Sequence, residues 1–184
     1  MRVISGKARG TKLSTLDEKI TRPTLDRVKE AVFSMLRDDI YGATVLDLFS
    51  GSGALGIEAL SRGARECVFI DQRKDAVNLI RENVKLCDLT DNAVVRQGDS
   101  MAHLKSGEKF DIIFLDPPYG SKLLGEALEQ ITKFDICREH GIIVAESAVE
   151  TELPPVAPPY SLYREYRYGK IKLTIYHRRG EEDA

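Results

Sequence analysis

Asp116-Pro117-Pro118-Tyr119 is the segment whose residue types and spacing carry the most specific chemistry, and it directly follows the apolar run Phe110 to Leu115. An exocyclic amine on a nucleic-acid base is a poor nucleophile, because its lone pair is delocalised into the ring. A site that uses one needs acceptors that hold the amino hydrogens and aim the lone pair at an incoming methyl group. Asp116 supplies a carboxylate and Pro117 a backbone carbonyl. The two prolines fix two φ angles and remove two N–H donors that would compete. Tyr119 offers a ring face on which an extruded base can stack. The bland use of the same four residues is a rigid proline loop closing a strand.

A second group lies upstream. Asp47-Leu48-Phe49-Ser50-Gly51-Ser52-Gly53-Ala54-Leu55-Gly56 places a glycine-rich turn between a strand-like run and a helix-like one. Glycines there permit positive φ, and a helix amino end offers free N–H groups to a ligand. The spacing of Gly51, Gly53 and Gly56 fits NAD, FAD and S-adenosylmethionine pockets equally. The acids discriminate. Asp71, twenty residues after Gly51, is placed to accept both ribose hydroxyls of any of these ligands. Asp47, ahead of the loop, would repel a pyrophosphate but suits the cationic ammonium end of a methionine. Asp99 is placed to meet an adenine amine, with Ser100 beside it. Each acid singly has a strand-end or helix-cap explanation; all three fall at the ends of successive strand-like runs.

These residues need a scaffold that delivers them to one place. A chain of 184 residues, 42% hydrophobic, makes one globular domain. The runs 44–49, 67–70, 93–95, 110–115 and 141–145 read as buried parallel strands. Segments 53–62, 73–87 and 122–133 have helical periodicity and serve as crossovers, and residues 23–40 form a first amphipathic helix with Thr24 as its cap. After Pro154, Pro155, Pro158 and Pro159, alternation over 162–168 and 171–176 around Gly169-Lys170 predicts a closing antiparallel hairpin. The expected class is α/β, a Rossmann-like, mostly parallel sheet of the class I methyltransferase kind. It lacks the second parallel half of a dinucleotide dehydrogenase. Residues 1–22 are expected to form a basic β-arm.

Cys67, Cys87 and Cys137 have no paired spacing, and the histidines lie apart from them, so neither a disulfide framework nor a metal site is expected. No apolar run reaches the length of a membrane span, which predicts a cytoplasmic protein, and nothing demands more than a monomer. The formal charge of −2 hides a division: residues 1–40 carry nine Lys/Arg against six Asp/Glu, and residues 41–160 twelve against nineteen. Basic ends could meet phosphates, and an ordinary solvated surface accounts for the charge as well.

The motifs Asp47 to Gly56 and Asp116 to Tyr119 occur together with an opening Arg2-Val3-Ile4-Ser5-Gly6-Lys7-Ala8-Arg9-Gly10. They are joined by Arg22-Pro23-Thr24, Arg27 and Phe33, and by a closing Tyr163-Arg164-Glu165-Tyr166-Arg167-Tyr168-Gly169. In this set the chain resembles the RsmD family over residues 1 to about 179. The resemblance implies an S-adenosylmethionine-dependent enzyme that methylates N2 of one guanine in 16S ribosomal RNA, within a small-subunit particle. It implies a cofactor pocket of Asp47, the Gly51 to Gly56 loop, Asp71 and Asp99, flanked by Phe49, Ser52, Gln72 and Ser100, and a catalytic loop Asp116 to Tyr119.

The expected RNA-facing residues are Arg2, Lys7, Arg9, Arg22, Arg27, Arg164, Arg167 and Lys170, with Lys172 beside them; Arg22 and Arg27 are also placed near the cofactor mouth. Tyr163, Tyr166, Tyr168 and Tyr176 either stack on bases or pack a sheet face. By residue chemistry alone, adenine N6 and cytosine N4 compete with guanine N2. A nicotinamide-dependent oxidoreductase and a non-catalytic RNA-binding factor are the readings from other classes.

Overall fold

The computed structural model describes residues 1–16 and 23–183. Five parallel strands form the centre: β1 (Thr44–Asp47), β2 (Glu66–Asp71), β3 (Ala93–Gln97), β4 (Phe110–Leu115) and β5 (Cys137–Ala148). Helices α2 (Ala54–Ser61), α3 (Lys74–Leu86), α4 (Ser100–His103) and α5 (Leu123–Phe134) connect them in chain order. α1 (Pro23–Met35) precedes β1, and β6 (Tyr160–Tyr168) and β7 (Ile171–Arg178) follow β5. The sheet order is β3-β2-β1-β4-β5-β7-β6, with β7 antiparallel to both of its neighbours. This is the Rossmann-like methyltransferase sheet that the sequence pattern predicts.

Alternation along the strands divides the core in two. Val45, Cys67, Phe69, Ile112 and Phe114 face α1, α2 and α3, while Leu46, Val68, Ile70, Ile113 and Ile143 face α5. Both faces being covered explains why these strands read as continuous apolar runs. Register then decides what reaches the carboxyl edge. Asp47 pairs with Phe114 and Leu115 pairs with Ala145, so the last residues of β1, β4 and β5 emerge side by side.

Several boundaries differ from expectation. β1 ends at Asp47, and Leu48-Phe49 already belong to the turn. α1 begins at Pro23, whose missing N–H costs nothing at the first helical position, so Thr24 sits inside the first turn rather than capping it. The helix ends at Met35, and turns carry the chain to residue 40. β5 starts at Cys137, four residues before the apolar run, across an irregularity opposite Phe110 and Ile112.

Over its described residues, 1–16, the amino-terminal arm makes one isolated bridge, Arg2 with Lys12, instead of a strand, and packs down on Val3, Ala8 and Leu13. A buried carboxylate fastens it. Glu58 of α2, fully inaccessible, accepts from the Ile4 and Ser5 amides at 2.9 and 3.0 Å and from Arg62 Nε at 2.9 Å. Lys29 of α1 reaches the same carboxylate at 3.2 Å and donates to the Arg2 carbonyl at 2.7 Å. Asn83 of α3 completes the clasp: its amide accepts from Ser14 N and donates to the Ser14 and Ser52 carbonyls.

Glu58→Ala should therefore strand a buried Lys29 and the donors that the carboxylate now satisfies. The expected loss is about 3 kcal/mol, a fall of roughly 6–12 °C in Tm, with earlier proteolysis of the arm. An unchanged thermal unfolding curve would refute the clasp as a stabilising element.

Candidate active site

The carboxyl ends of β1, β2, β3, β4 and β5 open into a cavity of about 500 Å³, a size suited to a small-molecule ligand. Its wall includes Asp47, Phe49, Gly51, Ser52, Asp71, Gln72, Asp99, Ser100 and the whole Asp116 to Tyr119 loop. Gly53 and Gly56 stand behind this wall and serve the turn itself. Gly53, at φ 80°, is the left-handed residue that starts α2. A Cβ on Gly56 would collide with the Phe69 ring and Cys67 Sγ, so glycine there sets how closely α2 lies on β2. Gly51 is different, since a Cβ there would meet nothing within 4 Å and the backbone borders open space.

Each acid predicted for the pocket makes a structural hydrogen bond and keeps lone pairs for something else. Asp47 Oδ2 accepts from Gly56 N at 3.1 Å, satisfying an amide in the first turn of α2 that Gly53 cannot cap. Asp71 accepts from Gly51 N at 3.0 Å and Arg73 N at 2.9 Å, which ties the glycine turn to the end of β2. Asp99 caps α4 by accepting from Ala102 N at 2.7 Å, and Ser100 Oγ donates to the Leu48 carbonyl. The cap role foreseen for these acids and their presence on the cavity wall coexist.

Asp116 is open to the cavity but otherwise surrounded by protein, and neither carboxylate oxygen has a hydrogen-bond partner among the described residues. Beside it lies Glu146 of β5, which sequence reasoning missed. Glu146 belongs to the wall and accepts from Tyr119 Oη at 2.9 Å. Burial and the neighbouring acids raise the proton affinity of the group. Asp47 is pushed up to about 7, mainly by burial and further by Asp71. Asp116 is driven well above the carboxylate range by burial, then by Glu146 and Asp47. Burial also raises Glu146, and Tyr119 moves up with it. Among the described residues, none of Asp47, Asp116 and Glu146 has an ion-pair partner; of the two cations on the same wall, Lys29 pairs with Glu58 and Arg73 with Asp75.

Other wall residues not foreseen include apolar Met1, Leu25, Val28, Met101 and Leu123 and the cations Lys29 and Arg73. Only their position in the fold makes them wall residues, and no local pattern marks them. Arg22 lies outside the described residues. Arg27 is exposed on α1 and absent from the wall, to which α1 contributes Leu25, Val28 and Lys29.

Of the expected RNA-facing set, Arg2, Lys7, Arg9, Arg164, Arg167 and Lys170 are exposed. Lys7 contacts Asp88 through its carbonyl and, at 3.5 Å, its carboxylate. Lys172 contradicts the expectation: it is 7% exposed and turns inward to the Thr151 carbonyl at 2.5 Å, because every position from Ile171 to Tyr176 on β7 is buried. Tyr176 is buried, and Tyr166 and Tyr168 pack against the core. Tyr163 alone of that group stands out, 55% exposed, at an irregularity in β6, stacked on His177 at 4.2 Å with the Arg164 guanidinium 5.5 Å from its ring. Cys67, Cys87 and Cys137 are buried free thiols. Among the described residues no cluster of His, Cys, Asp or Glu is arranged to hold a metal ion, and no helix is long and apolar enough to cross a membrane.

Comparison with known proteins bears on this geometry. Residues 1–177 match the family described as conserved hypothetical protein 95. YlbH of Bacillus subtilis is 41% identical over 184 residues, covering 98% of this chain and 100% of that protein. Ribosomal RNA small subunit methyltransferase D of Escherichia coli K12 is 37% identical over 187 residues, covering 100% of this chain and 94% of that one. The solved structure of yhhF from Escherichia coli superposes with a TM-score of 0.88 at 34% identity, covering 97% and 98% of the two chains.

The raised Asp47 makes stability depend on pH with a definite sign. Its value is 3.8 in a free chain and about 7 in the fold. Between these limits the folded protein binds more protons than the unfolded one, so stability falls as the pH rises through about 7. The ligand-free protein should lose urea resistance between about pH 5.5 and about pH 8, and Asp47→Asn should flatten that slope. Parallel slopes in the two proteins would show that Asp47 is ionised throughout.

Proposed function

The chain belongs to the family described as conserved hypothetical protein 95, the one it resembles in sequence, and from that premise we propose that it methylates the exocyclic N2 of a guanine in 16S ribosomal RNA. It is a methyltransferase, and its cofactor is S-adenosylmethionine. The finer reading is that it works as a monomer in the cytoplasm on a small-subunit particle. The observation that carries the reading is the cavity itself: acids at the ends of adjacent strands, unpaired by any described cation, beside an open glycine turn.

The donor set fits the cofactor. Asp47 offers a buried carboxylate to the methionine ammonium, and opposite charges in a shielded cleft attract strongly. Asp71, held by two backbone amides, keeps its remaining lone pairs for the ribose hydroxyls. Gly51 lets that sugar approach the backbone, and Asp99 and Ser100 border the adenine side. An Asp47 beside the loop opposes the pyrophosphate of a nicotinamide cofactor. When bound, S-adenosylmethionine supplies a methyl group on a sulfonium, activated because transfer leaves a neutral thioether.

The rest of the chemistry belongs to the chain. Asp116 and the Pro117 carbonyl accept the amino hydrogens of the target and fix the direction of its lone pair. Tyr119 supports the extruded base from its ring face. Rate comes mainly from this near-attack positioning. As the new N–C bond forms, the amine becomes cationic and sheds one proton, to Asp116 or to solvent.

The test is transfer of labelled methyl from S-adenosylmethionine to small ribosomal subunits from cells lacking this protein. Label should appear as N2-methylguanosine at one position and fall at least about a hundredfold with Asp116→Ala, with duplex DNA unlabelled. Label in DNA, or as a methylated adenosine or cytidine, would overturn the guanine and ribosomal reading. Full activity in Asp116→Ala would return the loop to a structural role.

Cofactor binding should also report on Asp47. Below about pH 7 the ammonium must displace a proton from that carboxyl, so affinity measured by calorimetry should weaken up to about tenfold per pH unit. The dependence should vanish in Asp47→Asn, whose affinity is low at every pH.

A further inference from the structure

We propose that Glu146 is the residue that selects guanine over adenine and cytosine, by accepting the ring N1–H of the target while Asp116 and Pro117 hold its amine. The proposal rests on the guanine reading above and names the group that enforces it.

The three candidate amines differ in the ring atom beside them. In guanine that atom, N1, carries a hydrogen and is a donor. In adenine N1 and in cytosine N3 it is a bare acceptor. A site with acceptors for the amine alone treats all three alike, and this is why Asp116-Pro117-Pro118-Tyr119 leaves the base open. A second acceptor placed next to Asp116 breaks the tie. It pairs with N1–H of guanine and faces a lone pair in the other two bases.

Glu146 occupies that place. Leu115 of β4 is in register with Ala145 of β5, so Asp116 and Glu146 are the next residues out on neighbouring parallel strands, whose backbones run about 4.8 Å apart. Guanine presents N1–H and N2–H side by side on one edge. Both carboxyls line the same cavity. Glu146 is also oriented, because Tyr119 Oη donates to its Oε1 at 2.9 Å. No hydrogen-bond partner among the described residues occupies Oε2. The strand beneath it is held on both edges, by β4 and by the Glu146 to Leu173 pairing with β7.

The experiment uses small subunits assembled on RNA whose mapped target nucleotide is guanine or, by ligation, 2-aminopurine, which keeps the N2 amine but has a bare N1. Single-turnover transfer is measured for the full-length protein and for Glu146→Gln, and binding of both particles is measured without methyl donor. The substituted side chain would still accept from Tyr119, and its amide can turn a donor toward a bare N1. The unaltered protein should prefer guanine about ten- to a hundredfold. Glu146→Gln should collapse that ratio toward one, chiefly by losing guanine, in a protein that still unfolds cooperatively and still binds the methyl donor. Tyr119→Phe, which keeps the carboxylate, should retain a preference for guanine. N2-methylguanosine formed with the same ratio in Glu146→Gln would overturn this proposal alone. Label recovered only on adenine or cytosine would overturn it together with the guanine reading.

Discussion

Crowding of negative charge at the carboxyl edge of the sheet is the constraint around which the molecule is arranged. Asp47, Asp116 and Glu146 emerge from β1, β4 and β5, three strands adjacent in the sheet. Placing like charges together in a poorly solvated cleft is unfavourable, and the raised proton affinities of all three express that cost. The sheet tolerates it because nearly everything behind the edge is apolar and tightly registered: Leu46, Phe114, Ile113 and Ile143 are essentially inaccessible. Strands packed on both faces cannot slip to move one carboxylate away from another, since a one-residue slip would turn every apolar side chain to the wrong layer.

The amino-terminal arm belongs to the same arrangement. Through Met1 it contributes to the cavity wall. Glu58 absorbs the charge of Lys29 and holds the arm to α2, while Asn83 connects the arm at Ser14 to the glycine turn at Ser52. This clasp has an electrostatic consequence for the cavity. Lys29 stands on the wall, and its charge is taken up by Glu58 rather than by the acids of the cavity.

Legibility in the sequence followed the range of the interactions. The strand runs, the crossover helices and the closing hairpin were readable because period-2 and period-3.6 patterns are local. The glycine turn, Asp71 and Asp116 to Tyr119 were readable because their chemistry is written in consecutive residues. Glu146 was not: it sits in the ordinary-looking strand segment Val144-Ala145-Glu146-Ser147, and only the register of β5 against β4 sets it beside Asp116. Lys172 misled for the complementary reason. Charge suggested an exposed hairpin lysine, but β7 is an interior strand between β5 and β6, so its side chains are covered and Lys172 bends to Thr151. Glu58 and Asn83, both buried polar residues inside amphipathic helices, likewise gave no local signal.

The distribution of charge also bears on how a nucleic acid would approach. A phosphate entering the cavity would meet five acidic side chains, while the two cations on the wall, Lys29 and Arg73, are paired with Glu58 and Asp75, so the polyanion is repelled from the site that must receive its base. Attraction has to come from outside it, from exposed residues such as Arg2, Arg9, Arg164 and Arg167 on the arm and hairpin. A duplex cannot satisfy both demands at once, because its bases are enclosed by its own phosphates. A base swung out of a loop can, with its backbone held on the basic margin and its edge in the acidic pocket. The pocket therefore favours an unpaired or extruded nucleotide before any atom of the base is read. Within the pocket the same carboxylates that exclude phosphate are acceptors for N–H groups, so exclusion of the backbone and recognition of a base amine come from one set of atoms.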